Sequence, residues 1–205
     1  MLFRSTNNGI SFTTTSVNNT GTITNSGSGS GGVSLATIGS SVTGVIENSS
    51  TSALTLTGTN SSSGYTTITS GTVNIANKTY LGSGTITLGA GTLNITGGSG
   101  NLTFANAIVM AGNGTITNAD AYTNTFTGGV TGTGNLTLNN NTATDNGISF
   151  TTTSVNNTGT ITNSGSGSGG VSLATIGSSV TGVIENSSTS ALTLTGTNSS
   201  SGYTT

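Results

Sequence analysis

Apolar residues alternate with small polar residues along almost the whole chain. In the segment ALTLTG, Leu54 and Leu56 fall on one side and Thr55 and Thr57 on the other. Alternation with a period of two is typical of a β-strand that is buried on one face. Thr, Val and Ile also suit a pleated surface. The pattern predicts strands within 9–15, 21–25, 32–38, 41–47, 53–58, 65–76, 84–96, 101–110, 114–118, 124–130 and 134–140.

Helices are not expected anywhere in the chain. No stretch carries apolar residues at the i, i+3, i+4 and i+7 spacing of an amphipathic helix. The chain contains 34 glycines, and each would destabilise a helix interior by about 1 kcal/mol. The sequence therefore predicts an all-β protein.

A long exact repeat organises the chain. Residues 146–205 are identical to residues 8–67, with an offset of 138 at every position, so that Glu47 corresponds to Glu185. Sixty identical residues indicate a recent tandem duplication, because surface positions tolerate substitution freely. We expect 1–7 to be a leader or the end of a preceding unit, 8–145 the first unit of about six to seven coils, and 146–205 a partial second unit of a longer array.

Composition favours a β-solenoid over tandem β-sandwich domains or a disordered or amyloid-like chain. A sandwich needs a broad core, with Pro and charged residues protecting its edges, whereas this chain has no Trp or Pro and is 3% charged. In a parallel β-helix each coil covers the edge of the next, and a thin Val/Ile/Leu core suffices. Disordered chains usually carry a high net charge, and this one carries only -2.

The segments 53–75 and 82–95 resemble the autotransporter-associated β-strand repeat. The residues at matching places are Leu54, Leu56, Gly58, Asn60, Gly64, Thr66, Ile68, Gly71 and Val73. The chain departs from that pattern at the first glycine, where Thr51 or Ser52 stands, and has Val73 in place of the usual Leu. The resemblance implies a right-handed parallel β-helix of the kind found in bacterial surface and secreted passengers, and it carries no catalytic residues.

The composition also excludes several classes of function. Gly, Thr, Ser and Asn make up about two thirds of the chain, which has no His or Cys. The commonest general base, thiolate metal sites and disulfides are therefore absent. With Arg4 and Lys78 as its only side-chain cations, the chain offers no surface for nucleic acid. No apolar run reaches the 18 residues of a membrane span, and the first residues lack the apolar core of a signal peptide.

No catalytic, cofactor-binding or metal-binding residue is predicted. The carboxylates are Glu47, Asp120, Asp145 and Glu185, which are far apart in sequence and are expected to be solvated corner residues. The Gly/Ser runs at 27–32 and 165–170 lack the Lys of a phosphate-binding loop, so we expect a flexible corner or a protruding loop. Phe residues are expected in the core, and Tyr residues could bind sugar only if successive coils aligned them outward.

Pairs of outward Thr residues suggest an alternative role. A flat ladder of such pairs would resemble the ice-binding face of some solenoid antifreeze proteins, although Thr is also simply a good exposed strand residue. The spacing between the pairs is irregular along the sequence. The pairs are Thr55/Thr57, Thr67/Thr69, Thr85/Thr87, Thr115/Thr117 and Thr125/Thr127.

The leading hypothesis from the sequence is a non-enzymatic structural segment. We expect the stalk or shaft of a bacterial adhesin or fibre, outside the cell or on its surface, whose main partners are neighbouring repeats of the same chain. One alternative is a self-assembling filament or sheath subunit that associates end to end. Another is a solenoid face that binds a surface glycan or ice.

Overall fold

The protein, described here from a computed structural model at residues 1–3 and 9–205, is a parallel β-solenoid of about nine turns. Three sheets run along it, which we call faces I, II and III, with strands numbered along the chain. Within the described residues, the structure contains no helix that is long and apolar enough to cross a bilayer.

Seven strands form face I. They are β1 (Leu2–Phe3), β3 (Gly21–Asn25), β5 (Val42–Asn48), β7 (Tyr65–Ser70), β9 (Ile86–Leu88), β12 (Ile108–Met110) and β15 (Val130–Gly132). Beyond β15, face I continues as single parallel bridges through Val155, Ile176 and Asn198. This face is therefore broad in the early turns and narrow in the later ones.

Face II runs the full length of the solenoid and has ten strands. They are β2 (Ile10–Val17), β4 (Val33–Ile38), β6 (Leu54–Leu56), β8 (Thr72–Ile75), β10 (Thr92–Ile95), β13 (Gly114–Asn118), β16 (Leu136–Asn140), β18 (Gly159–Asn163), β20 (Val180–Glu185) and β22 (Tyr203–Thr204). It has more strands than either of the other two faces and is the most continuous sheet of the solenoid.

Face III develops only in the later turns. Its strands are β11 (Leu102–Phe104), β14 (Asn124–Phe126), β17 (Ile148–Phe150), β19 (Val171–Leu173) and β21 (Leu192–Leu194). In the early turns this side carries a parallel bridge between Ile38 and Asn60, and then a single turn of 3-10 helix, Lys78–Leu81. In the early turns, therefore, the side of face III has no strands, whereas faces I and II on either side of it are paired sheets.

Every strand pairing among the described residues is parallel, which confirms the predicted all-β parallel solenoid. Direct register places like residues above like: Leu93 pairs with Val73 and with Ile116, and Ile95 pairs with Ile75. Tandem β-sandwich domains, the alternative, would be built from antiparallel strands. The inward side chains form one continuous core of Val, Ile, Leu and Phe along the axis.

Several predicted strands prove to be two strands separated by a corner. The segment 65–76 breaks at Gly71, whose φ of 77° turns the chain from face I to face II. An added Cβ at Gly71 would also lie 1.9 Å from the carbonyl oxygen of Ser49 in the previous turn. Segments 84–96 and 101–110 divide in the same way. Alternation does not reveal such a corner, because apolar residues continue to point inward on both sides of it.

Three phenylalanines stack inside face III. The ring centroids of Phe104 and Phe126 lie 5.0 Å apart, and those of Phe126 and Phe150 lie 4.9 Å apart, with nearly parallel planes. The offset follows from the strand spacing, because each Phe occupies the same register position one turn later. Phe12, which corresponds to Phe150 in the repeat, is only partly buried and packs against Phe3 in the first turn.

The two identical segments lie on different faces of the solenoid. Ile23 lies on face I, and its copy Ile161 lies on face II. Each copy nevertheless has the same internal pairing, with Ile23 opposite Val45 and Ile161 opposite Val183. Successive positions of face I are 20–25 residues apart, at Ile23, Val45, Thr66, Ile86, Ile108, Val130 and Val155.

One repeat unit therefore advances the chain by six turns and one further side. Six turns lead from Ile23 to Val155, and the chain then passes one corner to reach Ile161 on face II. At about 4.8 Å per turn, the unit advances the axis by about 30 Å. Because the cross-section of the solenoid has three sides, equivalent residues of successive units are rotated by about 120° about its axis.

Cysteine cross-linking tests this rotation directly, since the chain has no cysteine of its own. Thr162 pairs with Thr137 on face II, whereas Thr131 lies on face I. We expect Thr137→Cys with Thr162→Cys to form a disulfide on mild oxidation, because paired Cα atoms about 4.8 Å apart suit that bond. Thr131→Cys with Thr162→Cys is the control and should stay reduced. Cross-linking of the control pair alone would contradict the rotation.

Candidate functional site

The Gly/Ser run at 165–170 is a stacked corner and not the flexible or protruding loop expected from its composition. Its amides bond the preceding turn, from Gly167 N to Asn140 O at 3.1 Å and from Gly169 N to Thr142 O at 2.9 Å. A Cβ at Gly167 would lie 2.1 Å from Thr142 O, so only glycine allows this approach. The alternation of Gly and Ser therefore serves close stacking of backbone on backbone.

The first copy of this run, 27–32, accepts hydrogen bonds from the next turn. The hydroxyls of Ser49, Thr51 and Ser52 donate to the carbonyl oxygens of Gly27, Gly29 and Gly31. The distance is 3.1 Å for Thr51 and 2.7 Å for Ser52. Composition alone suggested mobility, because it does not show that hydroxyls one turn later lie within reach of these carbonyls.

Two of the four carboxylates are buried, which corrects the expectation that all are solvated corner residues. Glu47 is 0% exposed, and Asp120 is 4% exposed. Asp145 and Glu185 are exposed, as expected. Glu47 lies near the end of β5 on face I, beside the corner, and Asp120 lies about three turns later at the corner after face II. The two buried carboxylates therefore do not share a cleft as a general acid/base pair would.

A small polar network holds the Glu47 carboxylate. Asn25 Nδ2 donates to Glu47 Oε2 at 2.8 Å, and Ser49 N donates to Oε1 at 2.7 Å. Asn25 Nδ2 also donates to the carbonyl oxygen of Ser52 at 3.0 Å. Burial raises the pKa of Glu47 from 4.5 to about 7, against the opposing effect of the hydrogen bonds from Asn25, Ser49 and Leu54.

The same residue in the second copy has a different environment. Asn163 Nδ2 donates to both carboxylate oxygens of Glu185, at 3.1 and 3.0 Å. The Asn–Glu hydrogen bond of the first copy is therefore present in the second copy as well. In the first copy the following turn covers this corner, and a Cβ at Gly71 would lie 3.2 Å from Glu47 Oε1. Glu185 has no such turn above it and is exposed. The next turn, rather than the local sequence, decides the burial of the carboxylate.

Asp120 belongs to a separate cluster of buried amides. Its Oδ1 accepts from Tyr122 N at 3.1 Å and from Asn124 Nδ2 at 3.2 Å, whereas its Oδ2 is buried without a partner. Asn118 Oδ1 accepts from the Asp120 amide at 3.1 Å. Within the part of the chain that the structure describes, no three Asp, Glu, His or Cys residues gather to hold a metal ion.

The predicted Thr pairs do not form one ladder, because they lie on different faces. Thr67 and Thr87 are on face I, Thr115 and Thr117 on face II, and Thr125 on face III. Face II instead carries two neighbouring columns that sequence reasoning missed. One column is Thr72, Thr92, Thr115, Thr137 and Thr162, and the other is Thr55, Asn74, Asn94, Thr117 and Asn139.

The first three residues of the second column are joined by side-chain hydrogen bonds. Asn94 Nδ2 donates to Asn74 Oδ1 at 2.8 Å, and Asn74 Nδ2 donates to Thr55 Oγ1 at 3.5 Å. The sequence does carry a signal for these columns. The triplet Thr-x-Asn/Thr recurs once per turn, at 72–74, 92–94, 115–117 and 137–139. The side-chain bonds between turns identify the column as a stabilising ladder of the sheet.

The tyrosines form no outward stripe. Tyr65 lies over Gly44 on face I, because a Cβ added at Gly44 would lie 2.6 Å from its ring atoms. Its copy Tyr203 lies over Gly182 on face II. Each exposed ring thus covers a glycine of the neighbouring strand and shields that strand's backbone. These rings are on different faces and do not align as a sugar-binding platform.

One cleft of about 410 Å³ lies beside the 3-10 helix, on the side where face III has no strand. We call it the Asn60–Asn106 cleft, after the two largely buried side chains that line it; its rim carries Lys78 and several hydroxyls. The helix begins where Asn77 Oδ1 accepts from Thr79 N at 3.1 Å, and it ends at Gly82, where φ is 70°. No signal in the sequence predicted this cleft.

Comparisons with protein-family models, with curated proteins and with solved structures find no match for this chain. The geometry of the described residues is therefore the basis on which a function can be argued.

Stability should depend on pH through Glu47. A carboxyl whose folded pKa is raised binds more protons when folded, so stability should be highest near pH 4.5 and fall as the pH rises to about 7. The loss should be about 1.4 kcal/mol for each unit of the pKa difference. Glu47→Gln should remove most of this dependence, as measured by thermal unfolding at several pH values in this window.

Glu185→Gln is the matched control, because it changes the same repeat position where the side chain is exposed. The control should unfold with the pH dependence of the unmodified protein. The chain has no His or Cys that would titrate in this window and obscure the result. Equal pH dependence in the unmodified protein and Glu47→Gln would contradict the assignment.

Proposed function

We propose that this chain is a non-enzymatic structural segment, a length of shaft in which each unit adds reach to a fibre or adhesin on a bacterial surface. The observation that carries the proposal is the continuity of the sheets across the boundary between the copies. Strand β17, at the start of the second copy, pairs in register with β14 of the first unit, and β18 pairs with β16. The duplication therefore extends one solenoid and creates no separate domain.

Parallel hydrogen bonds between turns would give such a shaft its mechanical strength. Each turn bonds the next on two or three sides, so the backbone groups of the interior turns are paired and the open edges are confined to the two ends. Bending or stretching the shaft would require many of these bonds to break together. The placement on a bacterial surface is supported by the resemblance of 53–75 and 82–95 to autotransporter-associated repeats.

A second candidate is a subunit that assembles end to end, since an isolated chain of residues 1–205 leaves its last turn uncovered. Leu194 is 37% exposed, whereas Leu56, its copy, is 1% exposed beneath the following turn. Tyr203 and the outer edges of β21 and β22 are also open. An unpaired edge with apolar side chains is a template for another copy. In that case isolated chains would form rods longer than the chain itself.

Electron microscopy of arrays with one, two and three units tests the shaft. The rods should lengthen by about 30 Å for each unit added, because each unit contributes about six turns. Ile161→Lys should kink or shorten the rod, since it places a charge in the core, whereas Thr162→Lys, on the outer side of the same strand, should not. Beads separated by flexible linkers would contradict the shaft, and rods independent of unit number would favour end-to-end assembly.

A further inference from the structure

The Asn60–Asn106 cleft has a floor of two side-chain amides with unused hydrogen-bonding atoms. Asn60 is 7% exposed and Asn106 is 8% exposed. Asn60 Oδ1 accepts from Ser62 N at 2.9 Å, so this bond fixes the amide and leaves Nδ2 without a protein partner. Asn106 Nδ2 donates to Gly82 O at 3.1 Å and to Gly84 O at 2.7 Å, which leaves its Oδ1 without one.

Three consecutive turns build this floor. Gly82 lies between the two asparagines, and a Cβ at that position would lie 3.2 Å from Asn60 Nδ2. The 3-10 helix supports the same edge, because Asn60 N donates to Thr79 O at 2.9 Å. The floor is thus held by backbone contacts that do not use the two free amide atoms. Both free atoms belong to residues that line the cleft, so a ligand in the cleft can bond them without breaking a contact within the protein.

The rim of the cleft is hydroxyl-rich and carries one positive charge. Thr59, Ser61, Ser83 and Thr103 are exposed there, and Lys78 is the single side-chain cation within residues 1–3 and 9–205. No carboxylate and no aromatic ring lines the cleft. Its volume of about 410 Å³ is within the usual range for a small-molecule site, but its lining is far more polar than that of a typical one.

These features select the chemistry of the ligand. A ligand that uses both Asn60 Nδ2 and Asn106 Oδ1 must carry an acceptor and a donor, as a sugar ring with several hydroxyls does. Inorganic phosphate also carries at least one O–H donor at pH 7, so the test below includes it as a competing ligand. The Lys78 ammonium adds a preference for a carboxylate, and it meets little competition because the chain as a whole carries few charges.

We propose that the Asn60–Asn106 cleft binds an acidic sugar, a hydroxyl-rich ring that carries a carboxylate. The carboxylate pairs with Lys78, and the ring hydroxyls bond the two floor amides. The site goes beyond the shaft role and does not depend on it. Each unit supplies one such cleft from residues 59–106, and the rotation of the units would present successive clefts about 120° apart.

The test is a titration of the full chain, followed by NMR through the side-chain NH₂ signal of Asn60. Short oligogalacturonate is the acidic probe, and a galactan oligosaccharide of equal length is the neutral one. We expect oligogalacturonate to shift the Asn60 signal saturably. The neutral probe and the variant Lys78→Gln should each bind about tenfold more weakly, as expected for loss of a charged hydrogen bond.

A matched variant controls for net charge. Asn141→Asp brings the chain to the same net charge as Lys78→Gln but lies on an exposed corner outside the cleft, where its Oδ1 accepts from Ser166 N. This variant should bind the acidic probe like the unmodified chain. The proposal is overturned if no probe shifts the Asn60 signal, if Lys78→Gln binds as well as the unmodified protein, or if inorganic phosphate gives the same shifts with equal affinity.

Discussion

The parallel hydrogen bonding of each turn to the next is the interaction on which the rest of this structure depends. It fixes the register, and the register places apolar residues above apolar residues and asparagine above asparagine along the axis. A thin core of Val, Ile, Leu and Phe is sufficient, because the strands of the interior turns are paired on both sides. This arrangement lets a chain with 3% charged residues and no cysteine remain ordered.

The burial of a side chain in this fold depends on the neighbouring turns as much as on the local sequence. The two copies contain the same residues and the same internal pairing, yet Glu47 is buried and Glu185 is exposed. Leu56 and Leu194 differ in the same way. The copies also lie on different faces, because residues 68–145 add turns whose lengths vary from 20 to 25 residues. A duplication therefore copies the local structure without copying its orientation.

The fold class could be predicted from the sequence, because a period of two in residues such as Leu54 and Leu56 reports directly on strands. The corners could not, since the apolar pattern passes through Gly71 unchanged. The burial of Glu47 and the Asn60–Asn106 cleft were also missed. Both depend on contacts between residues about 20 apart, and their distances follow from exact turn lengths that alternation does not reveal. The Gly/Ser corner was misjudged for the same reason, because its partners lie one turn away.

Amide hydrogen exchange in a chain extended beyond Thr205 by the sequence of residues 68–145 tests the central claim most directly. Segmental isotope labelling of 146–205 separates the second copy from the identical first one. If each turn orders the one before it, the amides of Leu192 to Thr204 should become as protected in the extended chain as those of Leu54 to Thr66. Unchanged exchange in 192–204 would contradict the account, because it would show that order in this chain does not pass from turn to turn.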